Sequence, residues 1–109
     1  MNQILYDMCR QAAREERTIT YSEVGAKIGL DMGNEGERFK LGQLLDEVSR
    51  YEHAQGRPVL SVVVVHADGD GRPGDGFFTL ARELGKFDGV DKDAFFFTEL
   101  NAAYAAWKR

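Results

Sequence analysis

The sequence of 109 residues predicts a single α+β domain that is mostly helical, with a small two- or three-stranded sheet and an added C-terminal helix. Apolar residues recur at helical spacing in five separate stretches. Between the third and fourth stretch lies an apolar run, 59–65, that does not alternate with polar residues, which is typical of a strand covered on both faces. A loop rich in Gly and Asp, 66–76, follows directly. One buried strand therefore leads into one exposed loop, and we expect the function to involve that point.

Start and stop signals place the five helices along the chain. The predicted N-caps are Ser22, Asp75 and Asp91, because short polar side chains accept hydrogen bonds from the first free backbone N–H groups. Glycines 29, 56 and 85 are predicted to end helices. We therefore expect helices over 2–16, 22–28, 37–55, 75–84 and 91–107, and strands over 18–21 and 60–66, with a third short strand near 74–77 as the alternative to a two-stranded sheet.

The third helix has one apolar face and one mixed outward face. Its apolar arc, at about 100° per residue, contains Leu41, Leu44, Leu45, Val48 and Tyr51. Glu52 falls inside this arc, and Arg57 is its expected charge partner. The outward side carries Phe39, Gln43, Asp46, Glu47, Arg50 and His53, so one aromatic ring and both signs of charge are expected there.

Composition limits the classes of function. The 14 basic and 18 acidic residues give a net charge of −4, which disfavours non-specific nucleic-acid binding because that binding depends on Lys and Arg neutralising phosphates. The single cysteine, Cys9, lies in the apolar stripe of the first helix and cannot form an internal disulfide, which favours a reducing, cytoplasmic location. We find no signal peptide and no membrane-spanning stretch, and we expect no cofactor.

The order of helix, short strand, two helices, strand and glycine-rich turn is that of a winged helix-turn-helix. Residues 18–78 resemble the DNA-binding domain of the O6-alkylguanine-DNA alkyltransferases and their alkyltransferase-like relatives. The resemblance rests on Thr20-Tyr21-Ser22-Glu23-Val24, on Leu41-Gly42-Gln43, on the apolar run ending at His66 and on Gly71 through Phe77. It implies a DNA-binding fold in which Tyr21 helps to turn a target nucleotide. The chain also resembles small bacterial proteins with a similar Gly-rich, Phe-Phe segment.

Three departures from the family pattern change what the resemblance implies. With His66 aligned on the family's histidine, Val65 stands where the alkyl-accepting cysteine would be, and Ala67 replaces the arginine that follows. The family's intercalating arginine corresponds to Phe39, while Arg38 is one residue out of register. Without a thiolate the chain has no nucleophile for alkyl transfer. We therefore expect a protein that is not an alkyltransferase.

Two chemical alternatives centre on the loop after the buried run. Asp68, Asp70 and Asp75 are possible oxygen ligands for calcium, but the spacing lacks the later ligands of an EF-hand loop, so solvated turns are the preferred interpretation. His66 beside these acids is a possible acid–base residue, although no nucleophile or orienting group accompanies it. We expect neither a metal site nor an enzyme.

Two binding hypotheses remain, one for double-stranded DNA and one for a protein partner. For DNA, the second and third helices and the loop, with Arg72 presented to the phosphates, would form the contact surface. For a protein, exposed Phe39 would be the anchor, and an acidic inhibitor or immunity-type protein acting on a nucleic-acid enzyme fits the charge. The candidate binding residues for the two hypotheses together are Tyr21, Arg38, Phe39, Lys40, Gln43, Arg50 and Arg72.

Overall fold

Five α-helices and a two-stranded parallel sheet make up the computed structural model, which describes residues 1–108. This confirms the prediction of a mostly helical α+β chain with five helices. None of these helices is both long and apolar enough to cross a lipid bilayer. The elements in chain order are α1 (Gln3–Arg14), β1 (Ile19–Thr20), α2 (Tyr21–Lys27), α3 (Glu35–Ala54), a 3-10 turn (Leu60–Val63), β2 (Val64–Val65), α4 (Asp75–Glu83) and α5 (Lys92–Trp107).

The sheet is much shorter than the sequence predicts. Ile19 pairs with Val64 and Thr20 with Val65 in parallel register, so each strand has two residues. The predicted strand over 60–66 is wrong for its first four residues, which form the 3-10 turn. The third strand near 74–77 is also wrong, because α4 begins at Asp75.

The 3-10 turn follows from the burial of the run 59–65. Every residue from Val59 to Val65 is at most 5% exposed, and the run contacts α1, α3 and α5. An extended strand in this position would need neighbouring strands to satisfy its buried amides. Because β1 offers only two residues, the turn satisfies part of the backbone internally, with Val62 N–H donating to the Val59 carbonyl at 3.1 Å.

Side chains from two helices accept hydrogen bonds from two further amides of this run. The Val59 N–H donates to Glu99 Oε2 at 2.8 Å, and Lys86 Nζ donates to the same oxygen at 2.6 Å. The Ser61 N–H donates to Ser49 Oγ at 3.2 Å, and the two hydroxyls are 2.7 Å apart. Buried polar side chains of α3 and α5 therefore fix the central run in place.

The helix ends agree only partly with the sequence signals. Asp91 caps α5 as predicted, through the Ala94 N–H at 3.0 Å. Ser22 is not a cap, because Thr20 accepts from the Glu23 N–H and starts α2 two residues earlier. Asp75 is not a cap either, since Gly74 takes that position without a side-chain hydrogen bond. Glycines 29, 56 and 85 follow their helices with φ of 75–80°, which confirms the three stop signals.

Helix α3 presents its faces largely as the wheel predicts. Leu41, Leu45 and Val48 are at most 6% exposed, and Phe39 on the outward side is 69% exposed. Tyr51 is the exception, being 44% exposed at the edge of the apolar arc, where its ring meets Tyr6 edge-on with 5.9 Å between centroids.

Glu52 is fully buried and forms the charge pair that the sequence predicts. Arg57 Nε donates to Glu52 Oε2 at 2.6 Å, and Tyr6 Oη donates to the other carboxylate oxygen at 3.2 Å. The Arg57 guanidinium also lies 5.6 Å from the Trp107 ring. The pair therefore joins α1, α3 and the end of α5.

Replacing Glu52 with Gln should lower the free energy of unfolding by about 2 kcal/mol, because Arg57 then loses its buried partner. Arg57 keeps some contact with water, which limits the loss. Denaturant unfolding measures this change. Glu83→Gln is the matched control, since Glu83 pairs with Arg50 at 2.6 Å on the surface and should change stability by less than about 1 kcal/mol. Equal losses in the two variants would contradict a structural role for the buried pair.

Candidate functional site

A pocket of about 380 Å³ opens between α2, α3 and the start of α4. Its floor is apolar and is formed by Met32, Leu41, Leu45 and Phe77. A few polar groups converge at its walls and rim, namely Tyr21, Ser22, Arg38, Asp46, Ser61 and His66. A largely apolar cavity of this size with a few polar groups is the usual form of a ligand site.

Tyr21 forms one wall because β1 leads directly into α2. Its hydroxyl accepts a hydrogen bond from the Gly74 N–H at 2.8 Å, and its ring centroid is 4.8 Å from that of His66. A Cβ at residue 74 would lie 3.5 Å from Tyr21 Oη and 3.4 Å from His66 Nε2, so residue 74 is in van der Waals range of both side chains. Burial raises the pKa of the Tyr21 phenol, so it is neutral at pH 7 and keeps its own proton to donate.

Helix α3 supplies the opposite side of the pocket. Gly42 lies in the middle of this 20-residue helix, and a Cβ placed there would meet nothing within 4 Å. A glycine inside a helix costs about 1 kcal/mol relative to alanine, and here no packing contact offsets that cost. Gly42 lines the pocket, so a large side chain at this position would reach into it. Arg38, one turn earlier, donates through Nη1 to the Met32 carbonyl at 2.9 Å and lies at the rim.

Asp46 is a half-buried carboxylate in the pocket lining. No hydrogen bond or ion pair ties it to any residue within 1–108, since its neighbour Arg50 pairs with Glu83 at 2.6 Å instead. Burial raises the pKa of the Asp46 carboxyl above its usual range, with Arg50 lowering it and Glu83 raising it. A carboxylate held without a partner beside an apolar pocket is a mark of a binding site.

The loop after β2 turns back on itself beside the pocket. The His66 N–H donates to the Arg72 carbonyl at 3.0 Å, and Gly69 and Gly71 both have φ of 69°, as their positions in a tight loop require. His66 is exposed. Ser61 shares the pocket lining, but its hydroxyl bonds to Ser49 and not to His66. Within residues 1–108 no group of three or more His, Cys, Asp or Glu side chains could hold a metal ion.

The structure brings together only part of the set of candidate binding residues. Tyr21 and Arg38 line the pocket, whereas Phe39, Lys40 and Gln43 are exposed on the outer face of α3 beside it. Arg50 is held in its ion pair with Glu83.

Arg72 has internal partners, in contrast to the expectation that the loop presents it to a ligand. Its Nε pairs with Asp93 Oδ1 at 3.0 Å, and its Nη1 donates to the Asp70 carbonyl. The guanidinium lies 4.6 Å from the Phe97 ring and 5.1 Å from the Phe96 ring. These contacts favour a structural role for Arg72 over contact with a ligand.

Sequence reasoning missed three features of the pocket. The helical wheel places Asp46 on the outward face, about 100° around α3 from Leu45, so the sequence gives no signal that this residue lines the pocket. Gly42 entered only as part of a motif, although a glycine within a helical pattern costs about 1 kcal/mol relative to alanine and is therefore a signal in its own right. Met32 lies in the connector before α3, where nothing in the local pattern indicates that it would reach the floor.

Asp46→Asn should raise the free energy of unfolding at pH 7. The pKa of this carboxyl is higher in the folded chain than in the unfolded one, so its charged form disfavours the fold and stability falls as pH rises through the folded pKa. The gain should shrink as pH falls through the folded-state pKa and should vanish below the lower pKa of the unfolded chain, where the carboxyl is protonated in both states. Denaturant unfolding at pH 7 and at pH 3 measures it. Glu47→Gln, on the exposed side of α3, is the control; its carboxylate lies 3.7 Å from the N-terminal ammonium, so a loss of less than about 1 kcal/mol at pH 7, and no gain, is expected. A loss of stability in Asp46→Asn at pH 7 would show that Asp46 has a structural partner.

Comparisons with known proteins do not place the chain in a family. No protein-family model, no curated protein and no solved structure matches the chain. Any function assigned to the chain therefore rests on the pocket, on the residues around its rim and on the resemblance of residues 18–78.

Proposed function

We propose that the protein is a non-enzymatic DNA-binding protein of the winged-helix type that receives an unpaired base in the pocket between α2 and α3. The observation that carries this proposal is the pocket itself, which opens beside the exposed face of α3 with Tyr21 on its wall and Arg38 at its rim. In the alkyltransferase-like domains that residues 18–78 resemble, the matching tyrosine acts on the target nucleotide.

The charges around the pocket define where a DNA backbone can pass. Arg38 and Lys40 lie in the N-terminal half of α3, and neither has an ion-pair partner within the described chain. Asp46 and Glu47 follow in the second half and repel phosphates. The backbone therefore passes the N-terminal half of α3, and Gln43, exposed one turn after Phe39, reaches base edges.

Phe39 is suited to separating base pairs. Its ring is 69% exposed on the outer face of α3, between Arg38 and Lys40. Proteins that bend DNA commonly insert an apolar side chain such as Phe between two base steps. At the position where the related domains carry an intercalating arginine, an exposed aromatic ring can perform the same wedging by stacking.

The weak positive charge of this surface implies a preference for DNA that is already distorted. Glu35 and Glu37 in the first turn of α3 offset Arg38 and Lys40. Attraction to phosphates alone is therefore small, and stacking and pocket contacts must supply most of the free energy of binding. Turning a base out of an intact duplex costs a few kcal/mol, and an unpaired base removes much of that cost. We therefore expect tighter binding to a duplex that carries an unpaired base.

A protein partner is the second candidate, favoured by the exposure of Phe39 next to the acidic half of α3. In this version the protein is an acidic inhibitor or immunity-type protein of a nucleic-acid enzyme, with Phe39 as the anchor and Asp46 and Glu47 facing basic residues of the partner. A buried aromatic anchor surrounded by polar contacts is the usual arrangement of such an interface.

Fluorescence anisotropy with two duplexes, one intact and one with a single unpaired base, tests the DNA proposal at low salt. Binding should favour the second duplex, and the logarithm of affinity should fall with the logarithm of salt with a slope of about −2, since two free cations contact phosphates. Arg38→Ala and Lys40→Ala should each reduce this slope by about 1. Arg50→Ala removes the same charge from an existing ion pair and is the control, with no change expected. No detectable binding to either duplex at low salt would overturn the DNA proposal in favour of a protein partner.

A pair of substitutions at Gly42 tests whether the pocket receives the base. Gly42→Ala should raise the free energy of unfolding by about 0.5–1 kcal/mol, because alanine is the better helix former and its Cβ meets no other atom. Gly42→Leu should retain the fold but fill the mouth of the pocket. We expect the leucine variant to bind both duplexes equally, whereas the alanine variant keeps a preference for the unpaired base. If the leucine variant keeps the full preference, the base does not enter this pocket.

A further inference from the structure

The outer face of α5 is exposed and uncharged over most of its length. From Ala94 to Ala106 the only acid or base of α5 with a charge at pH 7 is Glu99, which is 5% exposed and points inward to Lys86. The outward positions at helical spacing are all exposed, and they are Ala94, Phe97, Thr98, Asn101 and Ala105. We refer to these five residues as the α5 face.

The α5 face differs from the other exposed helix surface of comparable length. The exposed side of α3 carries Arg38, Lys40, Glu47 and Arg50, as expected for a helix that faces water, and 29% of the whole chain is charged. On α5, by contrast, Phe97 is 48% exposed and Val90, just before the helix, is 83% exposed. The Arg72 guanidinium lies 4.6 Å from the Phe97 ring at one edge of this face, where Asp93 pairs with it. An extended helix face that has no charged residue of its own and has an exposed aromatic ring is typical of a surface that another molecule covers.

We propose that the α5 face pairs with the α5 face of a second copy of this chain, in an antiparallel arrangement about a two-fold axis near Asn101. The same patch is then used by both copies, as a two-fold interface requires. Phe97 lies four residues before Asn101 and Ala105 four residues after it. The antiparallel arrangement therefore places Phe97 of each copy over Ala105 of the partner subunit, a large side chain against a small one.

The charges at the two ends of α5 favour this arrangement. Asp91 lies at its N-terminal end without an ion-pair partner in the described chain, whereas Lys92 and Asp93 beside it pair with Asp75 and Arg72. Lys108 follows its C-terminal end, exposed and likewise without an ion-pair partner within residues 1–108. Antiparallel pairing brings Lys108 of each copy to the acidic end of the other. It also sets the two helix dipoles in opposite directions, which is favourable. A parallel pair would bring the aspartates of the two copies together, so charge selects the antiparallel form.

The contact between two Asn101 side chains completes the centre of the interface. An amide side chain carries both donors and an acceptor, so two copies related by a two-fold axis can bond to each other. The area that one helix per copy can bury is small compared with the roughly 800 Å² per partner of a stable complex. The dimer should therefore be weak and should form at high micromolar concentration.

Sedimentation velocity of the full chain from about 10 μM to about 1 mM tests the pairing. We expect a rising dimer fraction for the wild type and monomer throughout for Ala105→Glu, which places a carboxylate against Phe97 of the partner subunit. Gln43→Glu adds the same charge at an exposed position of α3 and should dimerise like the wild type. A wild type that stays monomeric at about 1 mM overturns the proposal, as does equal dimerisation of the Ala105→Glu and Gln43→Glu variants.

Oxidative cross-linking tests the orientation independently of affinity. Asn101→Cys should form a disulfide between copies, because residues at the two-fold axis face each other closely enough for a disulfide. Ala94→Cys, which faces Lys108 of the partner subunit in the antiparallel form, should not. The native Cys9 does not compete, since it is fully buried and burial raises the pKa of its thiol to about 12. Cross-linking of Ala94→Cys as readily as Asn101→Cys would indicate parallel helices and overturn the antiparallel arrangement.

Discussion

The run from Val59 to Val65 is buried in the core, and only two of its residues pair with another strand, so most of its backbone hydrogen bonds must be made in other ways. Burying seven residues supplies much of the apolar core, but each amide left without a partner would cost about 1–3 kcal/mol. The chain meets this constraint with a 3-10 turn, with Ser49 of α3 and with Glu99 of α5. Glu99 is itself neutralised by Lys86. The positions of α3, α5 and the segment after α4 are thus fixed by what this run requires.

The same constraint fixes the candidate site. β2 ends at Val65, so His66 and the loop after it leave the core at a defined point beside Tyr21. The Tyr21 hydroxyl then holds the Gly74 N–H, which sets where α4 begins and closes one side of the pocket. The other side belongs to α3, whose register is set by the bonds of Ser49 and Glu52. A pocket bounded by elements that are all tied to the buried run is already formed before a ligand arrives, which is the usual condition of small-ligand sites.

The pocket and the α5 face differ in the chemistry they offer to a partner. Around the pocket lie the Phe39 ring, the neutral Tyr21 phenol and the unpaired Asp46 carboxylate, and only two cations there, Arg38 and Lys40, are without an ion-pair partner in the described chain. Recognition at the pocket therefore depends on shape, stacking and hydrogen bonding more than on attraction to phosphate. None of the five residues of the α5 face is itself charged, and we propose that this face contacts a second copy of the chain. Arg72 stacks on Phe97 at one edge of that face and is held by Asp93, so the loop after β2 links the edge of the α5 face to the pocket side of the chain.

The sequence by itself determined the five helices, the burial of 59–65, the Glu52–Arg57 pair and the outward position of Phe39, because periodicity and glycine stops are local properties that the chain carries wherever it folds. It did not determine that Leu60–Val63 would be a 3-10 turn. A buried apolar run has the same sequence pattern whether or not a neighbouring strand is available to pair with it. It placed Tyr21 and Arg38 among the candidate residues, but not Met32 or Asp46 as pocket residues. Only the packing of α3 against α2 and α4 decided those positions. The tertiary structure likewise decided the contacts of Arg72 with Asp93 and Phe97, which hold it away from the pocket. Contacts between residues far apart in sequence leave no local pattern that could predict them.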